Sequence, residues 1–154
     1  MRLSEFLEPD LVVLDFQTEG VEDTIRALVE RLRDAGAVAD TKAVASALIE
    51  REASHSTSLG NGVALPHATV PGVDRPVVLV ARAPQGVRFG ATGGEPVRLF
   101  FVLLSPLTEA GRHIKLLARI VRLVRRPGFV ASLMEAGNSE ALVDAVERMD
   151  ALQA

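Results

Sequence analysis

Hydrophobic residues in the first part of the chain form one short apolar run followed by a helical row. The run at 11–16 (LVVLDF) predicts a first short strand. After it, apolar residues recur every three or four positions, the spacing of a helix with one face on a core. The members of this row are Val21, Ile25, Leu28, Val29 and Leu32. Gly36 is placed to end this helix after about four turns.

A second helical row follows directly. Thr41 is predicted as its N-cap, because a side-chain hydroxyl can accept a hydrogen bond from a free backbone N–H of the first turn. Apolar residues at Val44, Leu48 and Ile49 then extend the helix to about Glu52.

The middle of the chain contains the strongest strand patterns. The runs 75–82 (RPVVLVAR) and 97–106 (VRLFFVLLSP) predict buried strands, the second ending at Pro106. Between them, 85–96 (QGVRFGATGGEP) predicts a turn, a short strand and another turn. Upstream, 63–66 (VALP) predicts a short strand inside a loop-rich stretch.

Residues 109–126 predict the longest helix, with two distinct faces. The basic face consists of Arg112, Lys115, Arg119, Arg122 and Arg126. The neighbouring row consists of His113, Leu117, Ile120 and Val124. Packing by this second row would turn His113 inward or into a cleft, while the basic face is typical of a solvated surface. A short helix in 130–136 and a last helix, capped by Asn138 or Ser139 and ending near Met149, complete the chain.

Strands interspersed with helices in this order predict an α/β fold. We expect a single mixed β-sheet of about five strands, flanked by helices on both faces. At 154 residues the chain is long enough for a continuous core and short for two ordinary domains, so residues 1–154 are predicted to form a single domain.

Composition and charge narrow the function classes. The net charge of −3 gives no electrostatic footprint for nucleic acid or an anionic membrane. The chain has no cysteine, which excludes disulfides, thiolate nucleophiles and cysteine-ligated zinc. The N-terminal residues lack an apolar signal core, and no run approaches the roughly 20 apolar residues of a membrane span. These features predict a cytoplasmic protein with no membrane insertion.

The segment 56–68 (STSLGNGVALPHA) contains the candidate chemistry. Gly60 and Gly62 permit a turn in which backbone N–H groups converge on an anion, and three hydroxyl side chains precede them. Those hydroxyl residues are Ser56, Thr57 and Ser58. His67 follows Pro66, and neutral imidazole is both a nucleophile near pH 7 and a good leaving group once phosphorylated. The segment therefore suits a reversible phosphohistidine.

Simpler interpretations of these residues remain open at this point. His67 can be an ordinary loop histidine, and His113 a partly buried histidine with satisfied hydrogen bonds. Arg51 can act only as a cation at a helix C-terminus. The histidines at 55, 67 and 113 have no paired-ligand spacing, so no metal site is predicted.

Three segments together resemble a known family. They are 51–68 (REASHSTSLGNGVALPHA), 94–106 (GEPVRLFFVLLSP) and 113–124 (HIKLLARIVRLV). The first resembles the phosphorylation motif of the fructose- and mannitol-type enzyme IIA domains of the bacterial phosphoenolpyruvate-dependent phosphotransferase system, which include nitrogen-regulatory paralogues. The other two are similar to the family's central strand and to its helix opening with a second histidine. The resemblance covers about residues 3–149.

The resemblance implies a role for each motif residue. His67 would be the phosphoacceptor, His113 would hydrogen-bond the phosphoryl group or orient His67, and Arg51 would pair with phosphoryl oxygens. The phosphate-binding positions it implies are Ser56, Thr57, Gly60 and Gly62. Ser58 stands where the family commonly has glycine, which would be unfavourable if that position required a positive φ.

The function implied is that of a phosphotransferase carrying phosphate. His67 would accept it from HPr, the histidine-containing phosphocarrier protein, and pass it to an enzyme IIB serving a fructose- or mannitol-like sugar. The alternative is a regulatory protein of the nitrogen-regulatory type, whose phosphorylation state controls binding to its targets. A third possibility is a relative that has kept the fold and carries no phosphate. No metal or organic cofactor is implied, because the donor protein brings the phosphate.

Overall fold

Strands in the described residues, 1–90 and 94–152 of a computed structural model, form one mixed sheet. They are β1 (Val12–Val13), β2 (Ser58–Gly60), β3 (Val63–Ala64), β4 (His67–Val70), β5 (Val77–Val87) and β6 (Val97–Pro106). The order is β1-β5-β6-β3-β2, and β4 continues the line of β3 along the same edge of β6. β5 and β6 are antiparallel, whereas β1 on β5 and both β3 and β4 on β6 are parallel.

The central position of β6 follows from its sequence. Nine of its ten residues are buried, Arg98 being the exposed one, because neighbouring strands flank it and helices cover both faces. β5 was predicted to end at 82 but continues to Val87 through a register shift after Arg82. The predicted turn at 85–96 thus begins inside this strand, and its part at 91–93 lies outside the described residues.

Helices form a layer on each face of the sheet. The five α-helices among the described residues are α1 (Val21–Asp34), α2 (Thr41–Ser54), α3 (Ala110–Val124), α4 (Phe129–Glu135) and α5 (Ser139–Ala151). α1 packs on α2, and α4 packs on both α3 and α5. Short 3₁₀ turns occupy Leu3–Phe6, Pro9–Leu11 and Leu107–Glu109. This architecture confirms the predicted α/β fold with one mixed sheet between helices.

The ends of the helices confirm two predicted signals and correct a third. Gly36 follows α1 with φ +80°, a left-handed conformation that favours glycine. Asn138 is the cap of α5, its side chain accepting the Ala141 N–H. Asp40, not Thr41, caps α2: its carboxylate accepts the Ala43 N–H at 3.0 Å. A carboxylate is an equally good N-cap and also favours the positive end of the helix dipole.

Helix α3 packs by a face one step away from the predicted row. Its buried residues are His113, Leu116, Ile120 and Leu123. Leu117 and Val124 are only partly buried, because a helical residue is rotated by about 100° from the next one. The predicted basic face is also interrupted: Arg119 is paired with Asp150 of α5, whose side chain is fully buried. His113 nevertheless lies on the buried side, with 7% exposure.

Candidate active site

His67 is held at the first position of β4 by its neighbours along the chain. The strand β3 ends at Ala64, Leu65 and Pro66 make the connection, and His67 then pairs with Leu103 of β6. Nδ1 of His67 lies 2.7 Å from the carbonyl oxygen of Leu65. A carbonyl can only accept, so Nδ1 carries the proton and donates it. The lone pair of the neutral ring is therefore on Nε2.

His113 lies in the first turn of α3, beside His67. The two ring centroids are 5.7 Å apart, with the planes inclined by 42°. Nδ1 of His113 is 2.7 Å from the hydroxyl oxygen of Ser105, a fully buried residue near the end of β6. The end of the central strand thus fixes the second imidazole against the first.

An open hollow of about 520 Å³ joins the two rings to the C-terminal part of α2. Its lining, called here the histidine hollow, comprises Ala47, Glu50, Arg51, Ser54, His67, Ala68, Thr69 and His113. One wall is therefore helical, one is the edge strand β4, and the third is the start of α3. This volume exceeds what a single phosphoryl group needs, and the opening leaves room for a reacting group on another molecule.

Arg51 bonds the end of its own helix and also faces the histidine hollow. Nη1 donates to the backbone carbonyl of His55, the C-cap residue of α2, at 3.0 Å. The residue also lines the histidine hollow. A guanidinium has five N–H donors, so one bond to the helix end leaves others for an anion in the hollow.

Thr57 is buried and bonded away from the histidine hollow. The carboxylate of Glu52 accepts both its backbone N–H at 2.8 Å and its hydroxyl proton at 2.5 Å. Ser56 is exposed and its hydroxyl accepts the N–H of Ser58 at 3.2 Å. Neither Ser56 nor Thr57 is among the residues that line the hollow. The Glu52–Thr57 pair instead fixes the turn that leaves α2.

Gly60 ends β2, and Asn61 and Gly62 form the tight turn of the β2–β3 hairpin. Gly60, Asn61 and Gly62 all have positive φ, at 83°, 54° and 78°. β3 pairs at Leu99 of β6 and His67 pairs at Leu103, four residues on. At about 3.3 Å per residue the hairpin turn is more than about 13 Å from His67. The structure thus does not bring these amides to the histidine hollow.

The hairpin also resolves the expectation about Ser58. Among the described residues, Asn61 is the only residue other than glycine with a positive φ. Ser58 lies in β2, where an L-residue is unstrained. Serine at this position is therefore compatible with the local backbone.

Both histidines have a lowered pKa. Partial burial lowers the pKa of His67, and the nearby Arg51 charge lowers it further, against the Leu65 hydrogen bond and the Glu52 charge. Burial lowers the pKa of His113 to about 4, with a smaller contribution from His67. Within the described part of the chain, no group of three or more histidine, aspartate or glutamate side chains is placed to hold a metal ion. No helix there is long and apolar enough to cross a membrane.

Two contributors to the site were not singled out from the sequence. Ser105 was detectable as the lone hydroxyl residue inside the apolar run 97–106. Glu52 was visible only as part of the Arg-Glu pair of the motif, with no pattern pointing to Thr57 as its partner.

Comparisons with known proteins agree with this geometry and identify one family. Residues 5–149 match the family described as "Phosphoenolpyruvate-dependent sugar phosphotransferase system, EIIA 2". The chain belongs to this family. The resemblance identified from the motif segments is thereby confirmed.

Two curated relatives illustrate the match. The chain is 31% identical over 135 residues to the fructose-specific EIIA component of Haloferax volcanii, covering 88% of each protein. It is 29% identical over 150 residues to the fructose-specific EIIABC component of Bacillus subtilis, covering 97% of this chain. The chain spans only 24% of the length of that second relative.

Solved structures have the same fold. The crystal structure of the nitrogen regulatory protein IIA-Ntr from Neisseria meningitidis matches with a TM-score of 0.84 and 28% identity, over 94% of this chain and 98% of that one. The enzyme IIA of the Escherichia coli mannitol system, determined in complex with phosphorylated enzyme IIB, matches with a TM-score of 0.76 and 23% identity, over 92% and 97% of the two chains. A protein of this fold thus forms a complex with an enzyme IIB.

Proposed function

We propose that this protein is a phosphohistidine carrier of the phosphoenolpyruvate-dependent sugar phosphotransferase system, with Nε2 of His67 as the phosphoacceptor atom. The observation that carries the proposal is the hydrogen bond from Nδ1 of His67 to the Leu65 carbonyl. It leaves the lone pair on the opposite nitrogen, in a ring that lines the histidine hollow.

The chemical step is a transfer of PO₃ between nitrogen atoms. The lone pair of His67 Nε2 forms a bond to phosphorus as the bond from phosphorus to the donor's imidazole nitrogen breaks, and that electron pair stays on the donor. His67 keeps its proton on Nδ1, where it is hydrogen-bonded to the Leu65 carbonyl, so the phosphorylated ring is cationic. A cationic ring is a good leaving group when the phosphoryl group moves on to the acceptor. The lowered pKa of His67 favours this chemistry, because the neutral ring is the form that has a free lone pair.

Arg51 and His113 would stabilise the charge that moves with the phosphoryl group. The guanidinium offers planar N–H donors to the equatorial oxygens. His113, with its ring centroid 5.7 Å from that of His67, would donate one hydrogen bond to the same oxygens. Ser56, Thr57, Gly60 and Gly62 take no direct part in this proposal, since they do not line the hollow.

The proposed partners are an HPr-type phosphocarrier as donor and an enzyme IIB as acceptor, in the cytoplasm. The similarity to fructose-specific EIIA and EIIABC proteins favours transport of a fructose-like sugar over the regulatory alternative. In this proposal residues 1–154 act as one carrier domain that needs no cofactor of its own.

Phosphorylation of the purified protein tests the proposal. Incubation with phosphoenolpyruvate, enzyme I and HPr should add about 80 Da that is lost in acid, the behaviour of a phosphoramidate. His67→Gln should abolish the adduct. His55→Gln, a change at an exposed histidine outside the hollow, is the matched control and should label at the wild-type rate. Wild-type protein that stays unmodified beside a labelled reference IIA would refute the proposal.

A further inference from the structure

We propose that Ser105 is a positioning residue: through His113, it holds one imidazole N–H directed at the phosphoryl group that His67 would carry. The inference rests on the proposed function for its catalytic consequence. Its structural content, the choice of one tautomer of His113 by a buried hydroxyl, stands on the hydrogen bond between these two side chains.

The sheet places Ser105 next to the reacting residue. His67 pairs with Leu103, and Thr69 pairs with Ser105, in the parallel ladder between β4 and β6. Side chains two residues apart on a strand share a face, so Ser105 projects on the same side of the sheet as His67. Ser105 has no exposed surface, and α3 brings His113 over it.

The direction of the Ser105–His113 hydrogen bond follows from the partners that each group has. Among the described residues, the Ser105 side chain has one hydrogen-bond partner, Nδ1 of His113 at 2.7 Å. If Nδ1 carried the ring proton, it would donate to the serine oxygen, and the serine proton would be left without an acceptor in a buried position. The hydroxyl therefore donates to Nδ1. The neutral ring then carries its proton on Nε2, the nitrogen that remains available to the hollow.

This arrangement gives the two imidazoles different chemical roles. The Leu65 carbonyl holds the proton of His67 on Nδ1, which leaves Nε2 free to bond phosphorus. The Ser105 hydroxyl does the opposite for His113, making Nε2 a donor. Two adjacent rings of identical chemistry are thus fixed in opposite tautomers, one as nucleophile and one as hydrogen-bond donor.

The same bond opposes protonation of His113. Both nitrogens of an imidazolium carry a proton, so a protonated Nδ1 could no longer accept from Ser105. The serine hydroxyl would have to rotate and would lose its acceptor. The groups that line the hollow around His113 are His67 of β4 and Arg51 and Glu50 of α2; Arg112 and Glu109 are beside it in its own segment. A neutral donor in the hollow that Arg51 also lines avoids placing two cations there before any phosphate arrives.

The test uses Ser105→Ala, which removes one oxygen without adding volume. Nitrogen NMR of the histidine rings should show wild-type His113 with a proton on Nε2 and a bare Nδ1, and Ser105→Ala should show a mixture of tautomers. Phosphoryl transfer from HPr should slow by roughly five- to tenfold, as expected for one lost positioning hydrogen bond. Ser105→Cys, whose S–H is a weak donor, should fall between the two.

Thr24→Val is the matched control. Thr24 is a fully buried residue whose hydroxyl bonds that of Thr18, outside the hollow, so its loss should leave the His113 tautomer and the transfer rate unchanged. A wild-type His113 protonated on Nδ1 would overturn the inference without any variant, as would unchanged spectra and rates in Ser105→Ala. The NMR measurement needs no phosphate, so failure of the proposed function, seen as an unlabelled wild type, is distinguishable from failure of this inference.

Discussion

The β2–β3 hairpin and His67 of the histidine hollow lie within one short stretch of chain, yet the hairpin and the hollow are held together in different ways. The hairpin depends on backbone conformation, with three consecutive residues at positive φ and an exposed turn. The hollow depends on side-chain bonds, each linking a functional residue to a fixed oxygen atom. Changes in the hairpin should therefore affect stability, whereas changes in the hollow should affect transfer.

Arg51→Gln is expected to have the largest effect in this comparison. Loss of the guanidinium removes donors to the phosphoryl oxygens, and we expect transfer to slow about a hundredfold with little change in stability. Arg51→Lys should recover only part of the rate, because it restores charge without the planar fork. Rapid-quench measurement of phosphoryl transfer from HPr gives both rates.

Arg98 provides the matched control for Arg51 in the hairpin region. It is exposed, its guanidinium also bonds a backbone carbonyl, that of Pro84, and its N–H bonds the carbonyl of Gly62. Arg98→Gln should leave transfer unchanged. Equal losses of rate in the two variants would show that the charge of the whole surface matters and the hollow does not.

The pH dependence of stability should separate the two regions next. The pKa of His113 falls from 6.5 to about 4 on folding, so below pH 6.5 the unfolded chain binds a proton that the folded protein does not. Unfolding is then favoured as pH falls, and we expect about 2 kcal/mol of the free energy of unfolding to be lost between about pH 7 and about pH 4.5 from this group. The lowered pKa of His67 acts in the same direction.

Chemical denaturation of wild type and His113→Gln at both pH values measures this contribution. The variant lacks the titrating ring, so its stability should fall less on acidification, by the amount assigned to His113. Parallel losses in the two proteins would contradict the assignment, because carboxylates common to both would then account for the whole change.

Gly62→Ala should produce the smallest effect. In contrast to the Arg51 variants, it should lower stability and leave phosphoryl transfer unchanged. A Cβ at Gly62 would meet no atom closer than 3.5 Å, but φ of +78° is strained for alanine. We expect a loss of about 1–2 kcal/mol in the free energy of unfolding, with normal transfer. Gly137→Ala, at an open position without positive φ, is the control and should change stability by less than about 0.5 kcal/mol. Slower transfer in Gly62→Ala would restore its amide to the phosphate site.

The comparison also shows which features could be predicted from sequence. The buried strand 97–106 and the inward position of His113 follow from local periodicity, and both are present. The Asn61-Gly62 pair is typical of a two-residue hairpin, but the glycines were interpreted as an anion-binding turn. Both structures need positive φ, so the residues alone did not distinguish them. Only the register of β3 on β6 shows that the turn lies far from His67.

Long-range partners were the least predictable part. Arg119 was placed on a solvated face because helical periodicity describes a single helix only. Its partner, Asp150, belongs to a different helix, α5. The bond from Ser105 to His113 likewise depends on how α3 returns over the end of β6. Helical and strand periods predict which side of an element is buried, but pairing between elements depends on their crossing geometry.

The Glu52–Thr57 pair has a consequence for the entropy lost when a partner protein binds. Glu52 is adjacent to Arg51, and its buried carboxylate ties the end of α2 to the chain that follows. The same turn carries the His55 carbonyl to which the Arg51 guanidinium donates, so this acceptor is in place before any partner binds. Part of the entropy of ordering the long Arg51 side chain is then lost on folding, and less remains to be lost when a partner docks.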